Sequence, residues 1–357
     1  MYGLEIQKLL IKKNELTLPQ DKVKLLQQAI TISDSNHDTE WSIDLRLELL
    51  QEELDYLPSK MVSYEAMSWI IGAYEEDPAI IDESNFLWQY KWILNSLITN
   101  PNLSKAQKEQ IIQDYSMRME RNNYSLRPLY EDYYRLYTFF ELEEKANKYK
   151  KLRDAAPSDR MSDCKACELN SNFDYNLTFA SIDKAKADAN DILTEKETCA
   201  RVPIVSYANL VQKLTKENRL EEAKEYVEKG MHQLLKEQEY IPRNFEYLVL
   251  FAYYYSKIDN DKAWNLIEKF YPSQSMNDYA SYNIFLNLAG ILKNTDKEIL
   301  TIKFPEWTPF YTSENRYKKE DLYNYYYNEA KKILTKFAEI ENDDKIKLHL
   351  ESNLTDF

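Results

Sequence analysis

Cys164, Cys167 and Cys199 are the three residues of this 357-residue chain best suited to soft-metal or thiol chemistry. Cys164 and Cys167 form a CxxC at the predicted start of a helix, where the helix dipole lowers a thiol pKa. Cys199 falls in the loop that precedes the first helix of the next structural unit. Matching helix starts in adjacent units lie about 10 Å apart, one packing distance, so the loop could carry Cys199 to the pair. Three thiolates suit zinc, but a structural zinc site wants a fourth ligand. His232 is placed well into a later helix, and Asp163 is nearby but a hard partner for a soft site. No strand-helix pattern of a redox CxxC surrounds the pair. Zinc, a regulatory disulfide and simple packing of the three as small apolar residues between units all remain open.

The elements that would position these thiols are helices. Apolar residues recur at three- and four-residue spacing nearly throughout, and the breaks carry Pro, Asn, Asp or Ser. The pattern predicts helices near 3–14, 20–33, 39–56, 60–76, 83–99, 104–121, 126–139 and 141–155. It continues with 164–177, 180–194, 203–217, 219–237, 243–257, 260–271, 277–294, 318–340 and a last one near 343–352. In 83–99, Phe86, Tyr90, Ile93 and Leu97 form one stripe while Trp88 and Trp92 form another, as a helix sandwiched on two faces requires. Paired as hairpins, the helices give units of roughly 38–40 residues, in the range of helical repeats.

Those units share a pattern. Second helices align on Ala146, Ala185, Ala223 and Ala263. First helices carry Tyr130, Tyr133 and Tyr137, then Tyr207, Leu210 and Leu214, then Tyr247, Leu250 and Tyr254. Over residues 124–275 this resembles the tetratricopeptide repeat family, whose first helix bears large residues at these spacings and whose second helix bears a facing small one. Ile204 to Leu235 is the best unit, with Val227 and Gly230 at the family's later positions, although Val211 replaces a small residue and Asn218 stands at the turn. The resemblance implies a right-handed α-solenoid of stacked antiparallel helix pairs. We divide it into helical hairpins over 1–122, repeats over 123–275 and C-terminal helices over 276–357, in one continuous array.

Composition removes several function classes. The 60 acidic against 46 basic residues leave a net charge of −14, which repels a phosphate backbone. The four glycines, Gly3, Gly72, Gly230 and Gly290, stand apart and cannot form a phosphate-binding loop. Three histidines without HExxH or GxSxG leave the usual hydrolase sites without parts. The acidic pairs Glu52–Glu53 and Glu75–Glu76 and the stretch Lys145, Lys148, Lys150, Lys151 and Arg153 read as solvated helix faces. The 29 tyrosines, including the runs 253–255 and 325–327, read as repeat core with a wet rim. No apolar run reaches the ~20 residues of a membrane span, the amino terminus lacks a signal-peptide core, and an odd, small cysteine number fits a reducing compartment. A cytoplasmic location is the expectation.

The functional expectation is a non-enzymatic scaffold that holds a protein or peptide on its concave face and needs no cofactor. By the resemblance, Glu131, Arg135, Asn170, Asp174, Asn209, Gln212 and Tyr255 line that groove. The mixture of charges does not reproduce the family's clamp for acidic chaperone tails. Residues 301–317 break the helical rhythm at Pro305 and Pro309; Trp307, Phe310 and Tyr311 there form either a partner anchor or, with Phe304, an aromatic plug. A peptide-responsive regulator and a metal- or redox-responsive protein centred on the cysteines are the alternatives.

Overall fold

A computed structural model of the chain describes residues 2–57, 60–236, 241–271 and 279–355. Among them are 18 helices and one two-stranded ladder. Contacts divide the chain into two compact units, Met1–Ile98 with Ala106–Tyr124, and Thr99–Lys105 with Ser125–Phe357. The boundary expected at 275/276 lies outside the described residues.

The first unit contains α1 (Tyr2–Glu15), α2 (Pro19–Ser35), α3 (Thr39–Tyr56), α4 (Met61–Glu76), α5 (Glu83–Ile98) and α6 (Lys105–Arg121). Chain neighbours from α1 to α5 pack pairwise, and α3 also meets α5. Pro19 opens α2, where a missing N–H costs nothing, and the Asp38 carboxylate caps α3 by accepting from Trp41 N–H at 3.1 Å. Leu26, Leu49, Leu50, Ile70, Phe86 and Leu87 are fully buried. Ion pairs pin this core. Arg46 donates twice to Asp34, at 2.7 and 3.0 Å, and lies over the Trp69 ring. Arg118, itself buried, donates to Glu75, Glu83 and Asp114. Two expectations change here. Glu53 is buried and accepts from Ser63 N–H, and Glu75 serves Arg118, so these acids are not mere solvated charge. Trp88 keeps 39% of its surface, so the second stripe of α5 is not covered as a sandwiched helix would be.

The second unit begins with α7 (Arg127–Phe139), α8 (Glu143–Ala155), α9 (Lys165–Phe179), α10 (Ile182–Asp188) and α11 (Asn190–Leu193). It continues with α12 (Ile204–Lys216), α13 (Leu220–Lys236), α14 (Ile241–Ser256), α15 (Asn260–Phe270) and α16 (Tyr279–Lys293). Each first helix packs on its own partner and on the next first helix, giving a row α7, α9, α12, α14, α16. Ala146, Ala185, Ala223 and Ala263 have no exposed surface, as a close helix crossing demands. Gly230 goes further: a Cβ there would lie 2.3 Å from Cζ of the fully buried Phe251, so α13 reaches α14 only without a side chain. The helix predicted over 180–194 is divided at Ala189, where Asn190 and Asp191 follow with side chains that compete for backbone hydrogen bonds. The turns after α6, α7 and α12 place Asn123, Glu141 and Asn218 at positive φ, with no glycine among the described residues doing so.

Beyond α16, β1 (Ile299–Thr301) pairs antiparallel with β2 (Arg316–Lys318), and α17 (Lys319–Glu341) and α18 (Lys345–Thr355) follow. The ladder ties together the ends of segment 301–317, where the helical rhythm breaks. Inside it Phe310 packs on Phe304 at 5.0 Å and on Tyr325 at 4.7 Å between ring centres, the aromatic plug. Trp307 and Tyr311 stay on the surface, 40% and 37% exposed. No helix among the described residues is long and apolar enough to cross a membrane.

Candidate functional site

The groove residues expected on the first helices do meet, but largely one another. Glu131 and Arg153, both buried, pair at 2.8 Å; the basic stretch of α8 is therefore not uniformly solvated. Arg135 spans the α7–α9 contact, donating to Glu131 at 3.1 Å and Ser171 at 2.9 Å and pairing with Asp163. One turn along, Asp174 accepts from Asn170 at 2.9 Å and from Asn209 of α12 at 2.8 Å, while Ser206 donates to Asn170 at 2.6 Å. Burial raises the Asp174 carboxyl to about 7, against the pull of the Asn209 hydrogen bond and the Arg135 charge. The ladder then jumps: Gln212 of α12 donates at 2.8 Å to Asn287 of α16, two first helices on. Asn283, also on α16, donates to Glu246 of α14 at 2.7 Å. Tyr255 stands apart from this ladder, packed on Tyr254 with Lys262 over its ring at 3.9 Å.

That jump means the row of first helices curls back on itself. Phe139, at the end of α7, lies edge-on to Tyr282 of α16 with ring centres 5.8 Å apart. The C-terminal helices complete the closure. His349 of α18 is buried against Phe139, Phe140 and Tyr282, and its Nδ1 and the Tyr282 hydroxyl share a hydrogen bond of 2.8 Å. Burial and the Lys216 charge push this imidazole down to about 3, and a hydrogen bond to the Phe139 backbone opposes them. Lys216 of α12 donates to Asn353 at 2.6 Å, Tyr137 of α7 to Glu341 at 2.8 Å, and Lys145 of α8 pairs with Asp343 at 3.0 Å. Six of the seven residues expected in the groove thus bond to one another or to neighbouring helices, while the end of α17 and α18 bond Tyr137, Lys145, Lys216 and Tyr282 beside them. Sequence periodicity could not reveal these long-range contacts, because a bond across 204 residues leaves no local signature.

The three cysteines do converge. Their sulfurs lie within 4.8 Å of one another, with Cys167 Sγ and Cys199 Sγ 3.3 Å apart. All three are free thiols; Cys164 is exposed and the other two are half-buried, unlike apolar packing residues. The flanking chain is tightly set. Arg127 grips Glu168 with both Nε and Nη2 at 2.7 Å and also donates to the Arg153 and Ala156 carbonyls, fixing the start of α9. Asp159 accepts from Ser125 N–H and Met161 N–H, ordering the approach to Cys164. On the other side Cys199 N–H donates to the Val202 carbonyl, and Glu197 pairs with Lys165 at 2.6 Å. The Cys199 thiol is drawn down to about 5 by the hydrogen bond from Cys167, against desolvation and with help from the Arg201 and Val202 backbone N–H groups. The Cys167 thiol moves the opposite way, held protonated by Cys199 and by burial.

The chain matches no family model, no curated protein and no solved structure.

Proposed function

We propose that this chain is a non-enzymatic binding protein, a right-handed tetratricopeptide-like superhelix whose first-helix face takes a helical segment of a protein partner in exchange for its own α18. The observation that carries the reading is the way α18 is held. His349 is buried among Phe139, Phe140 and Tyr282 and hydrogen-bonds Tyr282 and the Phe139 backbone, while Asn353, one turn on, accepts from Lys216 at 2.6 Å. A face that accepts one helix through replaceable hydrogen bonds can accept another, with i, i+4 side chains as the anchors. The two anchors are four residues apart on α18 and share a side of the helix. The net charge of −14 argues against a nucleic-acid partner.

The test uses the chain ending at Asn342 and a labelled peptide of residues 343–357. Saturable binding to the shortened chain, absent with the full chain and abolished by Lys216→Glu with Tyr282→Ala, is the expected result. A shortened chain that keeps its helical circular dichroism yet binds no peptide would refute the exchange.

A further inference from the structure

All the cysteines of the chain meet at one place although they come from two successive helical units, with Cys167 and Cys199 32 residues apart. Nothing in the binding role above needs this. We propose that Cys164, Cys167 and Cys199 form a zinc site, in which three thiolates hold one Zn2+ and the fourth position carries water.

Geometry favours it. Zinc–sulfur bonds of ~2.3 Å in a tetrahedron put sulfurs about 3.8 Å apart. The Cys167 and Cys199 sulfurs lie 3.3 Å apart and no pair is more than 4.8 Å apart, so ligation asks each sulfur to move by about an ångström or less. The backbone is prepared on both sides, by the Arg127–Glu168 clamp at the start of α9 and the Lys165–Glu197 pair that ties down the loop of Cys199. The donor set is soft, which selects zinc over magnesium or calcium. The metal takes the place of the thiol protons, which leave to solvent. Asp163, the carboxylate next to Cys164 in the chain, is engaged by Arg135, which leaves the fourth position to water. Cys164 is exposed, so water can reach the open position.

The experiment is a Co2+ titration of the full chain, purified under reducing conditions and stripped of metal. One equivalent is expected to give the thiolate charge-transfer band and the intense visible bands of tetrahedral cobalt, bleached by one equivalent of Zn2+. Cys199→Ser should abolish the spectrum. Cys164→Ser, a change at an exposed position that keeps the fold, should weaken binding ~10–100-fold or more, the range seen even for outer-shell changes. Circular dichroism of each variant separates metal loss from unfolding. Weak octahedral bands alone, or equal affinity in the triple serine variant, would overturn the site; so would a reduced, metal-stripped chain that forms the Cys167–Cys199 disulfide in air at an unchanged rate when Zn2+ is present. Failure of the α18 exchange leaves these outcomes unaffected.

Discussion

Glu131 sits where two arginines converge, Arg135 and Arg153, and its burial sets their worth. Arg153 Nη1 reaches it at 2.8 Å with both side chains 2% exposed, while Arg153 Nη2 donates to Asn172 and its guanidinium lies 4.8 Å from the Tyr134 ring centre. A buried pair gains little over a well-packed apolar pair, but removing one partner strands a charge and costs ~3–5 kcal/mol. Arg153→Ala is therefore expected to lower stability by about that amount in urea unfolding, and Glu131→Leu with Arg153→Met should recover most of it. A loss below 1 kcal/mol in the single variant would show that Arg135 alone satisfies Glu131. Glu131 was legible as a first-helix position facing its neighbours. Its partner was not, because Arg153 shares a helix with lysines whose spacing is that of a solvated face.

At the scale of elements, α18 is held by a residue that must stay neutral. His349 is flanked by Lys216, the Tyr282 hydroxyl, the Phe139 backbone and, 3.6 Å from Nε2, the half-exposed Glu141. Its docked pKa of about 3 lies below the ordinary 6.5, so docking is fully present above pH 6.5 and is lost as pH falls from there toward 3. Each pH unit below 6.5 removes up to about 1.4 kcal/mol, offset in part when the cation meets Glu141. Hydrogen exchange across 345–355 should therefore speed up at pH 5.5 relative to pH 7.5 after correction for intrinsic rates. His349→Gln, which keeps an acceptor for Tyr282, should remove that acceleration; equal protection of wild type at both values would show that α18 does not respond to the imidazole. The helices themselves were legible nearly to the residue, since a 3.6-residue period, capping residues such as Asp38 and Asp259, and prolines are local signals. The division at Ala189 and the ladder tying 299–301 to 316–318 depend on neighbours outside the local window.

The whole molecule comprises two compact units, each with its own buried core. Thr99–Lys105 belongs with the second, where Lys336 donates to Asn102 through an exposed hydrogen bond of 2.6 Å. Exposed contacts of this kind contribute little. The fragment 125–357 should consequently fold alone, with cooperative thermal unfolding and near-ultraviolet dichroism from its tyrosines; a fragment with helical signal but no cooperative transition would mean that the second unit depends on the rest. The closure of that unit also has a consequence for its biosynthesis. Tyr137 finds Glu341 only after 204 further residues have been made. At ~5–20 residues per second, that wait lasts about 10–40 s. Throughout it, the emerging α7 carries Phe139 and Phe140 without their final cover, so the ribosome-bound chain presents an apolar surface that the finished protein conceals, and its yield in the cell should depend on what shields that surface during translation.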